Sequence, residues 1–151
     1  QNSLIMDKDT WRRHFKPRMQ QMFAAFREVN PRIKIAWHSC GSVRDLITEF
    51  IELGIDFLNP LQPLAAGMDP QELHDEFGDS ISFFGGICVQ DLMPNGTPRQ
   101  IENEIKRRVK IHGDEGGYII APAHNIQDDT PVENIFAFFD AVKGLSKKEN
   151  T

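Results

Sequence analysis

Four short apolar runs recur along the chain, with longer amphipathic stretches between them. The runs are rich in β-branched and aromatic residues and alternate only weakly between apolar and polar side chains. They cover residues 33–37, 55–58, 81–84 and 118–121. Short, nearly continuous apolar runs are typical of parallel strands buried on both faces. We therefore predict four parallel strands, each followed by a helix through a right-handed crossover.

Polar residues between the runs mark where helices begin and end. Thr97-Pro98 and Thr130-Pro131 each place a capping hydroxyl before a proline at the first helical position, with Gln100 or Glu133 at the capping-box position. Asp69-Pro70 repeats the arrangement with a carboxylate cap. A fourth candidate cap is Ser42, and the expected helix ends are Gly54, Gly78 and Gly113.

One further helix is predicted over residues 10–29, before the first strand. Pro17 lies inside it and should kink or split it, because proline removes a backbone donor. The side chains expected on its buried side are Trp11, Phe15, Met19, Met22, Phe23 and Phe26. Apolar stripes in the later helices are Ile101, Ile105 and Val109, and then Val132, Ile135, Phe136, Phe139 and Val142.

Four βα units fit either a small open sheet or half of a closed (β/α)₈ barrel, and the pattern leaves both open. A complete barrel needs about 250 residues, whereas this chain has 151. The predicted domain covers residues 1–145, and the polar segment 146–151 is expected to be a frayed tail. The chain begins with Gln1 rather than Met, which indicates a fragment or a processed product.

Composition excludes several functional classes. The net charge of −5 argues against a nucleic-acid surface, and no apolar run is long enough to span a membrane. The basic run 106–108 lies among acidic residues and is interpreted as a solvated helix face. Two cysteines are too few for a disulfide framework, so a reducing, cytoplasmic location is expected.

Metal-ligating side chains follow the first and last predicted strands. His38 and Cys40 are two apart on an extended segment, so both side chains point the same way and can share one metal ion. Zinc accepts such nitrogen and sulfur ligands, and a catalytic zinc needs a third protein ligand, which His124 can supply. The alternative is that His38 and Cys40 only pack at the mouth of the fold. His124 alone also fits a general acid or base, or a structural imidazole.

Neutral polar side chains at the strand ends suit a polar ligand, although each also fits a role in loop stabilisation. They are Asn59, Gln62, Gln90, Asn125 and Gln127. Gly85-Gly86 indicates a close backbone approach to a ligand or a neighbouring strand, without the spacing of a nucleotide-binding loop. The histidines expected at the surface are His14, His74 and His112. Cys88 is expected to be a small buried apolar residue.

Taken in order, several short segments resemble the uroporphyrinogen decarboxylase superfamily over nearly the whole chain. They are residues 3–6, 16–18, 38–42, 56–60, 85–86, 96–98, 122–126 and 130–135. The resemblance implies a (β/α)₈ TIM barrel, of which these four strands are the last four. It also implies that an N-terminal half, which helps to wall the substrate cavity, is absent.

The superfamily contains two biochemistries. Its true decarboxylases remove acetate carboxylates from a tetrapyrrole in porphyrin biosynthesis, without metal or cofactor, and carry a histidine at the position of His124. Its zinc methyltransferases move methyl groups between a corrinoid protein and a thiol such as coenzyme M, using a His-x-Cys pair and a later cysteine. This chain has the pair at His38 and Cys40 but departs from the pattern with His124 in place of the later cysteine. Imidazole is still a competent zinc ligand.

The resemblance therefore implies a zinc-dependent, methyltransferase-like enzyme that works with a corrinoid carried by a partner protein. The implied zinc ligands are His38, Cys40 and His124. The predicted catalytic residues are His124 and Gln90, and the predicted substrate-binding residues are Asn59, Gln62, Asn125 and Gln127.

Two alternatives stay open. The first is metal-free decarboxylation of a tetrapyrrole, in which His124 contacts the substrate and the missing half supplies the acid. The second is an inactive fragment that pairs with another half barrel, for example as a homodimer, and so covers its exposed sheet edges. In either case the fragment alone is expected to be inactive, because half a barrel leaves the cavity without one wall.

Overall fold

The computed structural model describes residues 1–113 and 116–146. One four-stranded sheet runs through this part, with every neighbouring pair parallel and the order β1-β2-β3-β4. The elements are α1 Lys8–His14, α2 Lys16–Val29, β1 Ala36–His38, α3 Arg44–Glu52, β2 Phe57–Leu61, α4 Pro70–Phe77, β3 Ser82–Ile87, α5 Leu92–Asn95, α6 Pro98–His112, β4 Tyr118–Pro122 and α7 Val132–Ser146. The predicted βα order is confirmed. The predicted tail lies outside the described residues except for Ser146.

The first strand begins later than predicted, at Ala36 rather than at residue 33. Ile33 is held in a turn by a bond from its N–H to the Asn30 carbonyl. Ile35 instead donates its N–H to the Asp56 carboxylate, which joins the start of β1 to the start of β2. The middle strands run further than predicted: β2 ends at Leu61 and β3 at Ile87, where β3 still pairs with Pro122 of β4.

Capping residues decide where the helices begin. Asp69 accepts bonds from two first-turn N–H groups of α4, and Thr97 forms a full capping box with Gln100. Ser42 does not cap α3, contrary to the prediction. Its hydroxyl donates to the Ala66 carbonyl at 2.7 Å, so it ties two loops together. Pro17 lies in the first turn of α2, and the predicted helix is split at Phe15.

The core lies between the helices and one face of the sheet. Trp37, Leu58 and Phe83 point towards the helices, and the latter two are fully buried. The buried Glu49 carboxylate holds α1 and α2 against α3, because it accepts from Arg12 at 2.6 Å and from Lys16 at 2.5 Å. Both bonds lower the pKa of Glu49, the bond from Lys16 more strongly.

Two predicted apolar stripes are only partly buried. In the first helical region Trp11, Met19 and Phe23 reach the core, whereas Phe15, Met22 and Phe26 stay 39–46% exposed. In α7 the buried residues are Phe138 and Asn134, while the predicted Val132, Phe136 and Phe139 are exposed. These helices flank the edge strands, and no element of the described chain covers their outward sides.

His112 is buried, which corrects the prediction that it lies at the surface. It shares one face of α6 with Ile101, Ile105 and Arg108, so helical spacing turns it towards the sheet. Its ring packs 4.9 Å from the Tyr118 ring and 5.4 Å from the His74 ring, centroid to centroid. Burial, reinforced by the nearby His74 and Arg108 charges, lowers its pKa from 6.5 to about 4.

No helix in residues 1–113 and 116–146 is long and apolar enough to cross a membrane.

The substitution His112→Phe should reduce the loss of stability in acid. Between pH 6.5 and about 4, His112 is protonated in the unfolded chain but neutral in the folded chain. The contribution of His112 to stability is therefore fully present above pH 6.5 and is lost as the pH falls towards 4, by up to about 3 kcal/mol for the full shift. Urea unfolding at several pH values between 7.5 and 4.5 measures the slope.

The matched control is His14→Phe, since His14 is exposed on α1. This control should keep the wild-type slope. An equally steep slope in His112→Phe and in the wild type would show that His112 makes no contribution to acid sensitivity.

Candidate functional site

The carboxyl end of β1 brings an imidazole and a thiol together. His38 is the last residue of the strand, and the extended chain turns Cys40 to the same side. The His38 Nε2 atom lies 3.2 Å from the Cys40 sulfur. Both side chains are exposed, and Cys40 is a free cysteine. The predicted pair is therefore formed in space as well as in sequence.

His124 reaches the same place from the opposite edge of the sheet. It follows β4, whose end is anchored to β3 by a 2.7 Å bond from the Ala123 N–H to the Ile87 carbonyl. Across a flat sheet, β1 and β4 would be about 14 Å apart, since adjacent strands are about 4.8 Å apart. The rings of His38 and His124 nevertheless lie 6.1 Å apart. The sheet must therefore curve inwards, as in a barrel and unlike a flat open sheet.

The geometry of His38, Cys40 and His124 fits a zinc ion. One potential ligand atom from each residue lies within 4.8 Å of the other two. In a tetrahedral zinc site, nitrogen and sulfur ligands lie about 3.3–3.7 Å from one another. The His38–Cys40 pair, at 3.2 Å, is close to this spacing, and a ligand atom of His124 lies within 4.8 Å of both. A zinc ion with three protein ligands would keep a fourth position open for a substrate atom.

A cleft of about 390 Å³ lies over this cluster. Its lining residues are His38, Asn59, Phe84, Ala121, Pro122, Ala123, His124 and Asn125. His38, Asn59 and Phe84 belong to the face of the sheet opposite the helices, because side chains alternate along each strand. The inner face of the curved sheet is therefore the floor of the cleft.

A second cavity of about 360 Å³ adjoins the cluster from the other side of Cys40. Its walls are largely apolar and include Trp11, Trp37 and Phe50, with the N-terminal segment lying along it. Cys40 is on the boundary, since it lines this cavity and also belongs to the candidate metal-binding cluster. The sequence analysis missed this cavity, because tryptophans at helical and strand positions have the same pattern as ordinary core residues.

The family model for uroporphyrinogen decarboxylase (URO-D) matches residues 2–145. The chain belongs to the URO-D family. Its four parallel strands form part of the (β/α)₈ barrel of that family. A solved methyltransferase from Methanosarcina mazei superposes with a TM-score of 0.71 over 93% of this chain and 38% of the other, at 21% identity, which supports the fold.

Two curated relatives of this URO-D chain are methyltransferases. The methylated-thiol–coenzyme M methyltransferase of Methanosarcina mazei is 31% identical over 107 residues, which cover 70% of this chain and 26% of that protein. The methylcobamide:CoM methyltransferase MtaA of Methanosarcina barkeri is 26% identical over 138 residues, covering 91% of this chain and 37% of that protein. The chain thus spans about a quarter to two fifths of the length of these relatives.

The predicted polar site residues occupy different positions around the cluster. Asn59 and Asn125 line the cleft with the two histidines. Gln62 is buried, and its side-chain oxygen accepts the Gly41 N–H at 2.5 Å. Gln127 donates to the backbone carbonyl of Asn125 at 2.8 Å. Gln90 is exposed in the turn after β3, and it is not among the residues lining the cleft.

The Gly85-Gly86 pair of the URO-D chain lets neighbouring strands approach closely, as predicted. Both glycines have positive φ, +115° and +94°. A Cβ atom on Gly85 would lie 3.1 Å from the Leu61 nitrogen, and one on Gly86 would lie 2.7 Å from the Tyr118 hydroxyl. That hydroxyl donates to the Gly85 carbonyl at 2.7 Å, so it cannot move freely. Cys88, further along the chain, is buried as predicted.

Replacing Gly86 with Ala should destabilise the fold more than the same change at Gly116. Both positions have positive φ, which costs an L-residue about 1–2 kcal/mol, but a Cβ atom on Gly116 meets nothing within 4 Å. Gly86→Ala adds a clash with the Tyr118 hydroxyl, so its total cost should reach about 3 kcal/mol. Denaturant unfolding of both variants measures the difference, and equal costs would contradict the packing role of Gly86.

Proposed function

We propose that this chain carries the zinc centre of a methyltransferase that moves a methyl group between a corrinoid and a thiol. The observation that carries the proposal is the convergence of ligand atoms from His38, Cys40 and His124 within 4.8 Å. The curated relatives support it, because one is named for a methylated thiol and the other for methylcobamide. The identity of the acceptor thiol is not part of the proposal.

His38 and Cys40 would hold the metal from β1, and His124 would hold it from the loop after β4. When bound, zinc acts as a Lewis acid that lowers the pKa of a thiol at the open position. This chain supplies the surroundings of that thiol. Asn125 faces the cleft and would orient the substrate by hydrogen bonding, while Phe84 and Ala121 form a floor that limits water.

The proposed reaction balances without a further reactant. The acceptor thiol would release its proton to solvent, and its sulfur would form a bond with the methyl carbon. The methyl group would leave the corrinoid without its bonding electron pair, which would stay with the corrinoid. A partner protein would present the corrinoid above the cleft, where His38 and His124 are exposed.

Three residues would contribute further to the proposed site, namely Gln90, Gln127 and Cys40. Gln90 would orient the substrate from the turn after β3, and Gln127 would shape the Asn125 loop through its bond to the backbone. Cys40 is exposed, so a zinc-binding thiolate would need a reducing compartment such as the cytoplasm.

Metal-free decarboxylation is the second candidate. It is supported by the family match over residues 2–145 and by the exposure of His124 in the cleft, where it could contact a carboxylate-bearing tetrapyrrole. The two mechanisms differ in one measurable respect, since only the first needs a metal.

Purified under reducing conditions and supplied with zinc, the protein should contain about one zinc ion per chain. The double variant His38→Ala/Cys40→Ala should lose it, because two of the three ligands are removed. Mass spectrometry of the metal content after gel filtration gives the stoichiometry. Zinc-free wild-type protein would rule out the zinc mechanism and favour decarboxylation.

The matched control is His14→Ala/Cys88→Ala. It also removes one imidazole and one thiol, but both lie outside the cluster. Its zinc content should equal that of the wild type, and a loss here would mean that the metal is bound elsewhere.

A half barrel that closes with another half accounts for the exposed apolar residues on the inner face and flanks. Ile119 on β4 is 41% exposed, and Phe136 on α7 is 64% exposed. Burying such surface in a dimer is favourable by about 25 cal/mol per Å². Light scattering should therefore give twice the chain mass, whereas a monomer at all concentrations would exclude self-association.

A further inference from the structure

The amide of Asn59 has a defined orientation. Its nitrogen lies 3.5 Å from the Phe84 carbonyl oxygen, which can only accept a hydrogen bond. The amide nitrogen must therefore face β3, which turns the amide oxygen towards β1. That oxygen lies 2.7 Å from Nδ1 of His38. Since an amide oxygen only accepts, Nδ1 of His38 must carry the proton.

This assignment determines which His38 nitrogen is free. In a neutral imidazole one nitrogen donates and the other accepts, so a proton on Nδ1 leaves the lone pair on Nε2. Nε2 is the nitrogen that lies 3.2 Å from the Cys40 sulfur. Asn59 therefore presents the lone pair of His38 towards the thiol and away from the sheet.

A second amide side chain from the same part of the chain holds the Cys40 loop. Gln62 directly follows the last residue of β2 and is only 6% exposed. Its oxygen accepts the N–H of Gly41, the residue after Cys40, at 2.5 Å. Gly41 has a φ of +88°, so the loop turns sharply just after the thiol. The hydrogen bond fixes this turn and with it the position of Cys40.

We propose that Asn59 and Gln62 are positioning residues that organise His38 and Cys40 for metal binding, rather than substrate-binding residues. The inference rests on the proposed zinc site. It goes further because Asn59 selects the Nδ1-protonated form of His38, and Gln62 fixes the position of the Cys40 loop. Partners of this kind typically change metal affinity by 10- to 100-fold.

The test compares Asn59→Leu with Asn59→Asp. Leucine is similar in size but cannot accept a hydrogen bond from the His38 Nδ1–H, whereas aspartate keeps an acceptor oxygen. Zinc dissociation constants, measured by competition with a chromophoric chelator, should rise 10- to 100-fold in Asn59→Leu and stay within a few-fold of wild type in Asn59→Asp. Asn103→Leu, on the exposed face of α6, controls for the chemical change alone.

Long-range ¹H–¹⁵N NMR of the metal-free protein reads the proton position directly. Wild type and Asn59→Asp should show His38 protonated at Nδ1, and Asn59→Leu should lose that preference. Gln62→Met should weaken zinc binding without changing the protonated nitrogen, which separates the two contributions. Thermal melts of all variants identify any that are unfolded; Asn59→Ala then replaces Asn59→Leu, and Gln62→Ala replaces Gln62→Met.

The outcomes separate this inference from the proposed function. A wild-type protein that binds no zinc defeats the proposed function, yet an Asn59-dependent proton on Nδ1 would still support the positioning role. Zinc binding that is equally tight in wild type, Asn59→Leu and Gln62→Met, with an unchanged His38 proton, overturns the inference while leaving the zinc site intact.

Discussion

The curvature of the four-stranded sheet is the constraint on which the candidate site depends. β1 and β4 occupy opposite edges of the sheet, yet the rings of His38 and His124 lie 6.1 Å apart. The inward curl of the sheet brings its two edges towards each other, and the loop after β4 carries His124 to the end of β1. The candidate site therefore combines a local pair, His38 and Cys40, with His124 from the opposite edge of the sheet.

The middle strands maintain that curvature and link it to the site. Gly85 and Gly86 allow β2, β3 and β4 to approach closely, and the Tyr118 hydroxyl binds the backbone at this point. One residue earlier, the Phe84 carbonyl orients Asn59, which in turn holds His38. A series of hydrogen bonds thus connects Tyr118 and the backbone of β3 with Asn59, and Asn59 with His38. The pairing of β2 with β3 therefore determines both how closely these strands pack and which way the side chain of His38 is held.

Sequence patterns predicted the order of elements well, because local signals determine them. Thr97 and Asp69 mark the starts of their helices because each caps the first turn, and Pro17 marks the break between α1 and α2. The His38–Cys40 pair was also predictable, since two residues on an extended chain share a side. What the patterns could not show depends on distant partners. Ser42 has the sequence position of a cap, but its hydroxyl donates to the distant Ala66 carbonyl. His112 has the sequence position of a surface residue, but the packing of α6 against the sheet buries it.

The roles of Asn59 and Gln62 illustrate the same limit at the site itself. A neutral amide at a strand end fits a substrate ligand and a structural bond equally well when only its sequence position is known. The structure separates these roles by what each oxygen contacts, an imidazole in one case and a loop N–H in the other. Asn125 forms no such side-chain bond in the described residues and faces the open cleft. Among these amides, Asn125 is therefore the one available to a molecule in the cleft, while the oxygens of Asn59 and Gln62 contact His38 and the Gly41 N–H.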